Sequence, residues 1–428
     1  MSYRPAPRLL ESGLVLHDEV LAAAFPETIL RYRNDRAAAS VGLDDLSDAD
    51  WVAHFGRFQP LPGNQPVPLA LRYHGHQFRT YNPDLGDGRG FLFAQMLDDH
   101  DRLLDLGTKG SGQTPWSRGG DGRLTLKGGV REVLATAMLE ALGVNTSKSF
   151  SLIETGERLR RGDEPSPTRS SVLVRLSHSH IRFGTFERLA YNDDTDTMRG
   201  LVDFIIANYY PEAGDAAGMF DAVVSASARL AAQWMAAGFV HGVLNTDKMN
   251  ITGESFDYGP YRFLPSYDPG FTAAYFDTIG LYAYGRQPDT VLWNLSQLAR
   301  CLSLIAPQEP LLTSLQAYAE RYRHEVGLAV CARLHVRPKD DNAELVTALF
   351  AELAERRDDG SFEAVIHGRW GDMPGYESDG TPRPPERVTL LIDEIEAIWA
   401  RIAEADDWSA FHAKLEAIEA YRQASAVF

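Results

Sequence analysis

The sequence predicts an α+β fold: a strand-rich first part carrying one long helix, a mostly α-helical second part, and extra segments wrapping at both ends. Three observations predict it. Between residue 71 and about 190, short apolar runs bounded by turn residues, GFLFAQMLDD, RLLDLGTKG, SFSLIET and SVLVRLSHSHIRFG, read as strands. Inside that stretch one run, from about 127 to 142, sets Val130, Val133, Leu134, Ala137, Met138 and Leu142 at helical spacing and stops at Gly143. From about 195 the period is helical, in MRGLVDFIIANYY and then in the alanine-rich MFDAVVSASARLAAQWMAAGF.

Taken in order, residues 1–70 mix short helical patterns with prolines, and LDDLSDADW has the Ser/Asp punctuation of a helix start; they are expected to wrap. Residues 71–192 form the strand-rich part and 193–305 the first helical part. A helical extension, 306–428, begins with SLQAYAERYRHEVGLAV and closes with two helices near 386–422. The stretch 371–386, GDMPGYESDGTPRPPE, is the one segment expected to be flexible.

The 428 residues are 44% hydrophobic, enough for a sizeable core, and carry a net charge of −17. Such a surface repels phosphate backbones and anionic lipid, so neither nucleic acid nor membrane is an expected partner. No apolar run is long enough to span a bilayer and the N-terminus lacks a signal peptide's pattern, so a cytoplasmic location is expected. The two cysteines, Cys301 and Cys331, lie in apolar helical contexts and read as inert thiols.

The chemistry concentrates in a few strings. LGDGRG, Leu85 to Gly90, precedes a strand; its glycines let amides approach an anion and Arg89 adds a forked donor, although a plain hairpin turn would use the same residues. In GTKGSGQTPWSRGGDGR, residues 107–123, Lys109 leaves a strand beside glycine-rich turns, and Glu132 on the next helix can reach inward to pair with it. Strand lysine, helix glutamate, then a helical part is the order of protein-kinase-like, two-lobed folds, with a β-rich first lobe and an α-helical second.

HGVLNTDKMNITGESFDYGP, residues 241–260, follows the central helix. Val243 stands where a protein kinase carries its catalytic aspartate, whereas Asp257-Tyr258-Gly259 reads as the Asp-Phe-Gly counterpart, with Asp257 as metal ligand. A kinase skeleton without its usual base is either an inactive pseudokinase or an enzyme running other nucleotide chemistry with Asp247 as base. Arg175 and Arg182 would form a cationic wall over a polyphosphate. His178 and His180 lack a third zinc ligand and, like His74 and His76, read as hydrogen-bonded or solvated histidines.

Together RYHGHQF, LGDGRG, KGSGQTPWSRGGDGR, SHIRFGTFE, HGVLNTD and FDYGP, in order from about residue 50 to 300, resemble the selenoprotein O (YdiU) family of protein adenylyltransferases. The resemblance implies a kinase-like cleft that binds ATP in reversed orientation and transfers AMP, or UMP from UTP, to Ser, Thr or Tyr hydroxyls of other proteins. It assigns nucleotide contacts to Gly86, Gly88, Arg89, Lys109, Asp121, Gly122, Arg175, Arg182 and Asp257, the helix glutamate to Glu132 and the base to Asp247. It also implies Mg2+ or Mn2+ at Asp257.

Two positions depart from that pattern. The family's Asn-Thr-Asp-Asn-Met, whose second Asn is a metal ligand, becomes Asn-Thr-Asp-Lys-Met here. Lys248 cannot ligate a metal, which leaves Asn250 as substitute ligand, a water in its place, or weak metal binding. The chain closes with EAYRQASAVF where many relatives end in a cysteine- or selenocysteine-bearing tail, so redox control through a tail is not expected. Besides the adenylyltransferase, a phosphotransferase and a nucleotide-binding scaffold stay open, the first disfavoured by Val243 and the second kept open by Lys248.

Overall fold

The computed structural model describes residues 2–162, 164–357 and 361–425, so the last three residues of the closing tail lie outside it. Its first part is an antiparallel sheet with the strands His17–Glu19, Leu69–Leu71, Leu92–Leu97, Leu103–Lys109, Thr168–Ser177, Lys148–Leu159 and Ile29–Arg33 side by side in that order; Leu124–Thr125 adds a short pairing to Thr168–Ser177. Alternation along the strands feeds two cores. Leu152 and its cross-strand partner Leu173 face one side, while Ile153, Val172 and Val174 face the other.

The first face is covered by the helix Leu126–Ala141, capped by the Thr125 hydroxyl, which accepts from the amide of Gly128. Asp48–Phe55 covers the second: Trp51 stacks on Phe150 with ring centroids 4.8 Å apart and donates its indole N–H to Ser151 Oγ at 2.9 Å. The N-terminal 70 residues thus supply two outer strands and one cover of the sheet.

The run SVLVRLSHSHIRFG is a strand only as far as Ser177. Beyond it the amides leave the ladder: His178 N–H donates to the Glu254 carboxylate at 3.0 Å and His180 N–H to that of Asp105 at 2.8 Å. Arg182 then caps the helix Phe183–Tyr191, an element the extended reading of this stretch did not contain.

The helical part is built on Ala216–Ala236, whose small buried residues Ala228, Ala231 and Ala232 let it lie close along Gln308–Leu334. Thr195–Tyr209, Gln287–Leu302 and Ala343–Glu355 pack around this pair. The last two helices, Ile392–Ala405 and Ser409–Ser425, return to the sheet part. There Phe411 meets Tyr32 edge-on, Lys127 pairs with Glu396 at 2.7 Å, and Asp406 bridges Arg31 (3.1 Å) and Arg169 (2.7 Å). Residues 371–386, expected to be flexible, form no helix or strand but are pinned: Trp370 Nε1–H donates to the Thr381 carbonyl and Arg337 N–H to that of Glu377. No described helix is long and apolar enough to cross a membrane.

Candidate active site

A cavity of about 540 Å³ lies between the sheet part and the 241–260 segment, inside the roughly 300–1,000 Å³ range of small-molecule sites. Its wall gathers Gly86, Gly88, Arg89, Lys109, Asp121, Gly122, Arg175, Arg182, Asp247 and Asp257, drawn from stretches up to 171 positions apart in sequence. Eight cationic side chains line it, Arg89, Lys109, Arg118, Arg123, Arg161, Arg175, Arg182 and Lys248, against the four acids Asp87, Asp121, Asp247 and Asp257. In a chain of net charge −17 that local excess marks a site for a polyanion.

The glycine strings fold against each other. A Cβ on Gly86 would fall 2.3 Å from Cγ of Trp116, so the first string is glycine-rich because the second crosses it. Gly122 has φ +69, and a Cβ there would fall 2.2 Å from the Gly112 carbonyl. Asp87 locks the loop, accepting the Leu71 amide on one oxygen and Arg182 Nη2 at 3.2 Å on the other.

Lys109 ends its strand inside the cavity wall, 5% exposed, and its ammonium meets both the Glu132 carboxylate and Asp257 Oδ1, the latter at 2.5 Å. Glu132 stands behind the lysine and does not line the cavity. Arg175, 3% exposed, points from the next strand; its Nη1 is 3.9 Å from Asp257 Oδ1, and neither Nε nor Nη1 has a hydrogen-bond partner among the described residues. Arg182 lies between the Tyr73 and Phe256 rings, at 4.4 and 4.9 Å from their centroids, and donates Nη1–H to the backbone carbonyl of Asp247 at 2.9 Å.

Asp257 has φ +62, an uncommon conformation for a residue with a side chain, and aims its carboxylate at the cations. Burial alone would push its pKa up; Lys109, Lys248, Arg175 and Arg182 outweigh that and hold it well below the usual carboxylate range. Asp247 sits on the single turn Thr246–Lys248, with one oxygen 3.4 Å from Lys248 Nζ and the other, Oδ1, without a partner among the described residues. The turn is held from the flank: Thr246 donates to Glu187 and accepts the His76 amide, both at 2.7 Å, while His76 Nδ1 meets Glu187 at 2.6 Å.

Asn250 stands apart. Its amide donates to the Ser179 carbonyl at 2.6 Å and its oxygen accepts from Thr252 N–H and Oγ1, both at 3.1 Å. Asp257 is contacted on both oxygens by ammonium groups, and Lys248 links it to Asp247. Among the described residues no group of three or more His, Cys, Asp or Glu is placed to hold a metal ion. This arrangement does not fit a divalent ion seated between the two aspartates.

The remaining histidines of the motifs are structural. His178 is held neutral by burial, its pKa down at about 4, and His74 bonds the Tyr81 hydroxyl at 2.7 Å. Both cysteines are buried, which pushes the thiols of Cys301 and Cys331 up to about 12 and about 11. Sequence reasoning passed over Tyr73, Asp87, Trp116 and Arg161, the last clamping Asp121 with two hydrogen bonds of 2.8 and 3.0 Å. Asp87 and Trp116 lay within strings read for their glycines, Arg89, Lys109 and Asp121; nothing near Arg161 signalled its role.

A family model described as "Protein adenylyltransferase SelO" matches residues 1–363. A "Protein nucleotidyltransferase YdiU" of Synechocystis sp. is 44% identical, covering 96% of both chains. That of Gloeobacter violaceus is 45% identical over 96% of this chain and 94% of its own, and that of Trichodesmium erythraeum 51% identical over 78% and 72%. With eight cationic against four acidic side chains around its cavity, and this similarity along nearly its whole length, the chain belongs to the SelO family of protein adenylyltransferases and is a nucleotidyltransferase.

Proposed function

We propose that the protein transfers AMP from ATP, or UMP from UTP, to Ser, Thr or Tyr hydroxyls of other proteins, in a two-lobed, kinase-like cleft that binds the nucleotide in reversed orientation. The observation that carries the reading is Arg175: a guanidinium 3% exposed, lining the cavity, with two donor nitrogens that no described residue satisfies. A buried unsatisfied donor costs about 1–3 kcal/mol, more when charged, and an anionic ligand removes that cost.

In the reversed orientation the γ-phosphate lies among Gly86, Gly88, Arg89 and the Gly122 turn, and the α-phosphate faces Asp247. The acceptor oxygen attacks the α-phosphorus as the bond to the bridging oxygen of the β-phosphate breaks, and pyrophosphate leaves with that electron pair. Asp247 takes the hydroxyl proton on Oδ1, the oxygen without a partner among the described residues, whereas both oxygens of Asp257 are engaged by ammonium groups. Lys109, Arg175 and Arg182 neutralise charge on the departing pyrophosphate. Magnesium or manganese, implied by the family resemblance at Asp257, with Asn250 as the substitute ligand for the position Lys248 occupies, would meet side chains already engaged, and the steps above rest on the chain's own residues.

Lys248 against both aspartates favours a second reading, a scaffold that binds nucleotide without turning it over. Incubation of the protein with a bacterial lysate and ATP labelled at the α- or the γ-phosphate separates the two. Covalent α-label without γ-label supports AMP transfer, γ-label supports a kinase, and neither label despite ATP binding supports the scaffold.

A further inference from the structure

At the floor of the cavity two carboxylates share three cations. Asp257 Oδ1 takes Lys109 at 2.5 Å, with Arg175 at 3.9 Å, while Asp257 Oδ2 takes Lys248, whose ammonium also lies 3.4 Å from Asp247 Oδ2. Lys248 therefore spans the two acids, and its side chain stays 20% exposed, toward the cavity it lines. A cation that joins two aspartates at the edge of a phosphate site does what a bridging divalent ion does elsewhere: it cancels the repulsion of acids for phosphate and gives the phosphates a positive contact. The two cannot share the position, since a lysine head and a metal ion repel.

We propose that Lys248 is the built-in cation of this site, joining Asp247 and Asp257 to the phosphates, so that nucleotide binding does not depend on a divalent ion between them. The inference rests on the nucleotide reading above and goes beyond it by naming what holds the phosphates at the acidic end. Lys248 is thus a phosphate-binding residue that also touches the base and fixes the separation of the two acids.

The test is ATP affinity by calorimetry in excess EDTA and in excess MgCl2, together with Mn2+ binding followed by electron paramagnetic resonance, for the original chain, Lys248→Gln and Lys248→Arg. The original chain and Lys248→Arg should bind ATP within about threefold in the two buffers, whereas Lys248→Gln should lose about tenfold or more on chelation. Without nucleotide, Lys248→Gln should gain a Mn2+ signal that the original chain lacks. Loss of about tenfold or more on chelation in the original chain, or equal Mn2+ binding by all three, overturns the inference while leaving the nucleotide reading intact. No ATP binding by the original chain in either buffer overturns both.

Discussion

Arg182 donates to the backbone carbonyl of Asp247 at 2.9 Å, so a cation at the start of one helix holds the residue assigned as base. Its other arm reaches Asp87 in the first glycine string, and the guanidinium lies between two aromatic rings. A lysine has charge but no fork to hold both partners. Arg182→Lys should lower kcat for α-label transfer by about ten- to a hundredfold, with a smaller change in KM, because a small displacement of a catalytic group is costly. An unchanged kcat would detach Arg182 from the positioning of Asp247.

Asp247→Asn keeps the size of the side chain and removes the proton acceptor. Transfer should fall by about 10²–10⁴-fold while ATP affinity, by calorimetry, changes little. Full activity in this variant would place the base elsewhere.

Lys109→Ala leaves Glu132, 1% exposed, without its ammonium. Stability in urea should drop by about 3 kcal/mol, the typical cost of an uncompensated buried charge. Lys109→Met combined with Glu132→Leu should recover most of that loss but not nucleotide binding, which separates the structural part of the pair from its role toward phosphate.

Glu254 gives a pH dependence away from the cleft. Burial raises its pKa from 4.5 to about 7, against the opposing effects of the His178 amide, Lys148 and Arg102. The folded state thus binds the proton more tightly than the unfolded one, so this contribution is complete below pH 4.5 and is lost as pH rises to about 7. The loss is on the order of 3 kcal/mol at about 1.4 kcal/mol per pH unit. Glu254→Gln, which keeps an acceptor for the His178 amide, should flatten the fall in urea midpoint between pH 5 and pH 8.

The parts legible in the sequence are those where one physical rule acts alone. RLLDLGTK and SVLVRLS alternate because each strand divides its side chains between two cores, and Val130, Val133, Leu134 and Met138 repeat at helical spacing because one face of their helix is buried. Lys109 and Glu132 could be paired from their order. The strands His17–Glu19 and Ile29–Arg33 left no such trace, being short, outermost and only partly buried. The end of the strand at Ser177 was illegible for another reason: it is set by Glu254 and Asp105, acids 76 and 75 positions from the amides they accept. Asn250 shows the same limit, since its bond to Ser179 crosses 71 positions.

The closing helices have a consequence in time. Phe411, Ile418 and Tyr421 belong to the same core as Val130 and Leu134, and Asp406 ties down Arg31 and Arg169. A nascent chain emerging at about 5–20 residues per second therefore displays an uncovered apolar helix face, with Glu154 as the one carboxylate shared by Arg31 and Arg169, until residues 392–425 have left the ribosome. Up to that moment the helix packed on the sheet that carries Lys109 and Arg175 lacks its cover, so a chain terminated before residue 392 should be a client for chaperones and proteases before it is ever a partial enzyme.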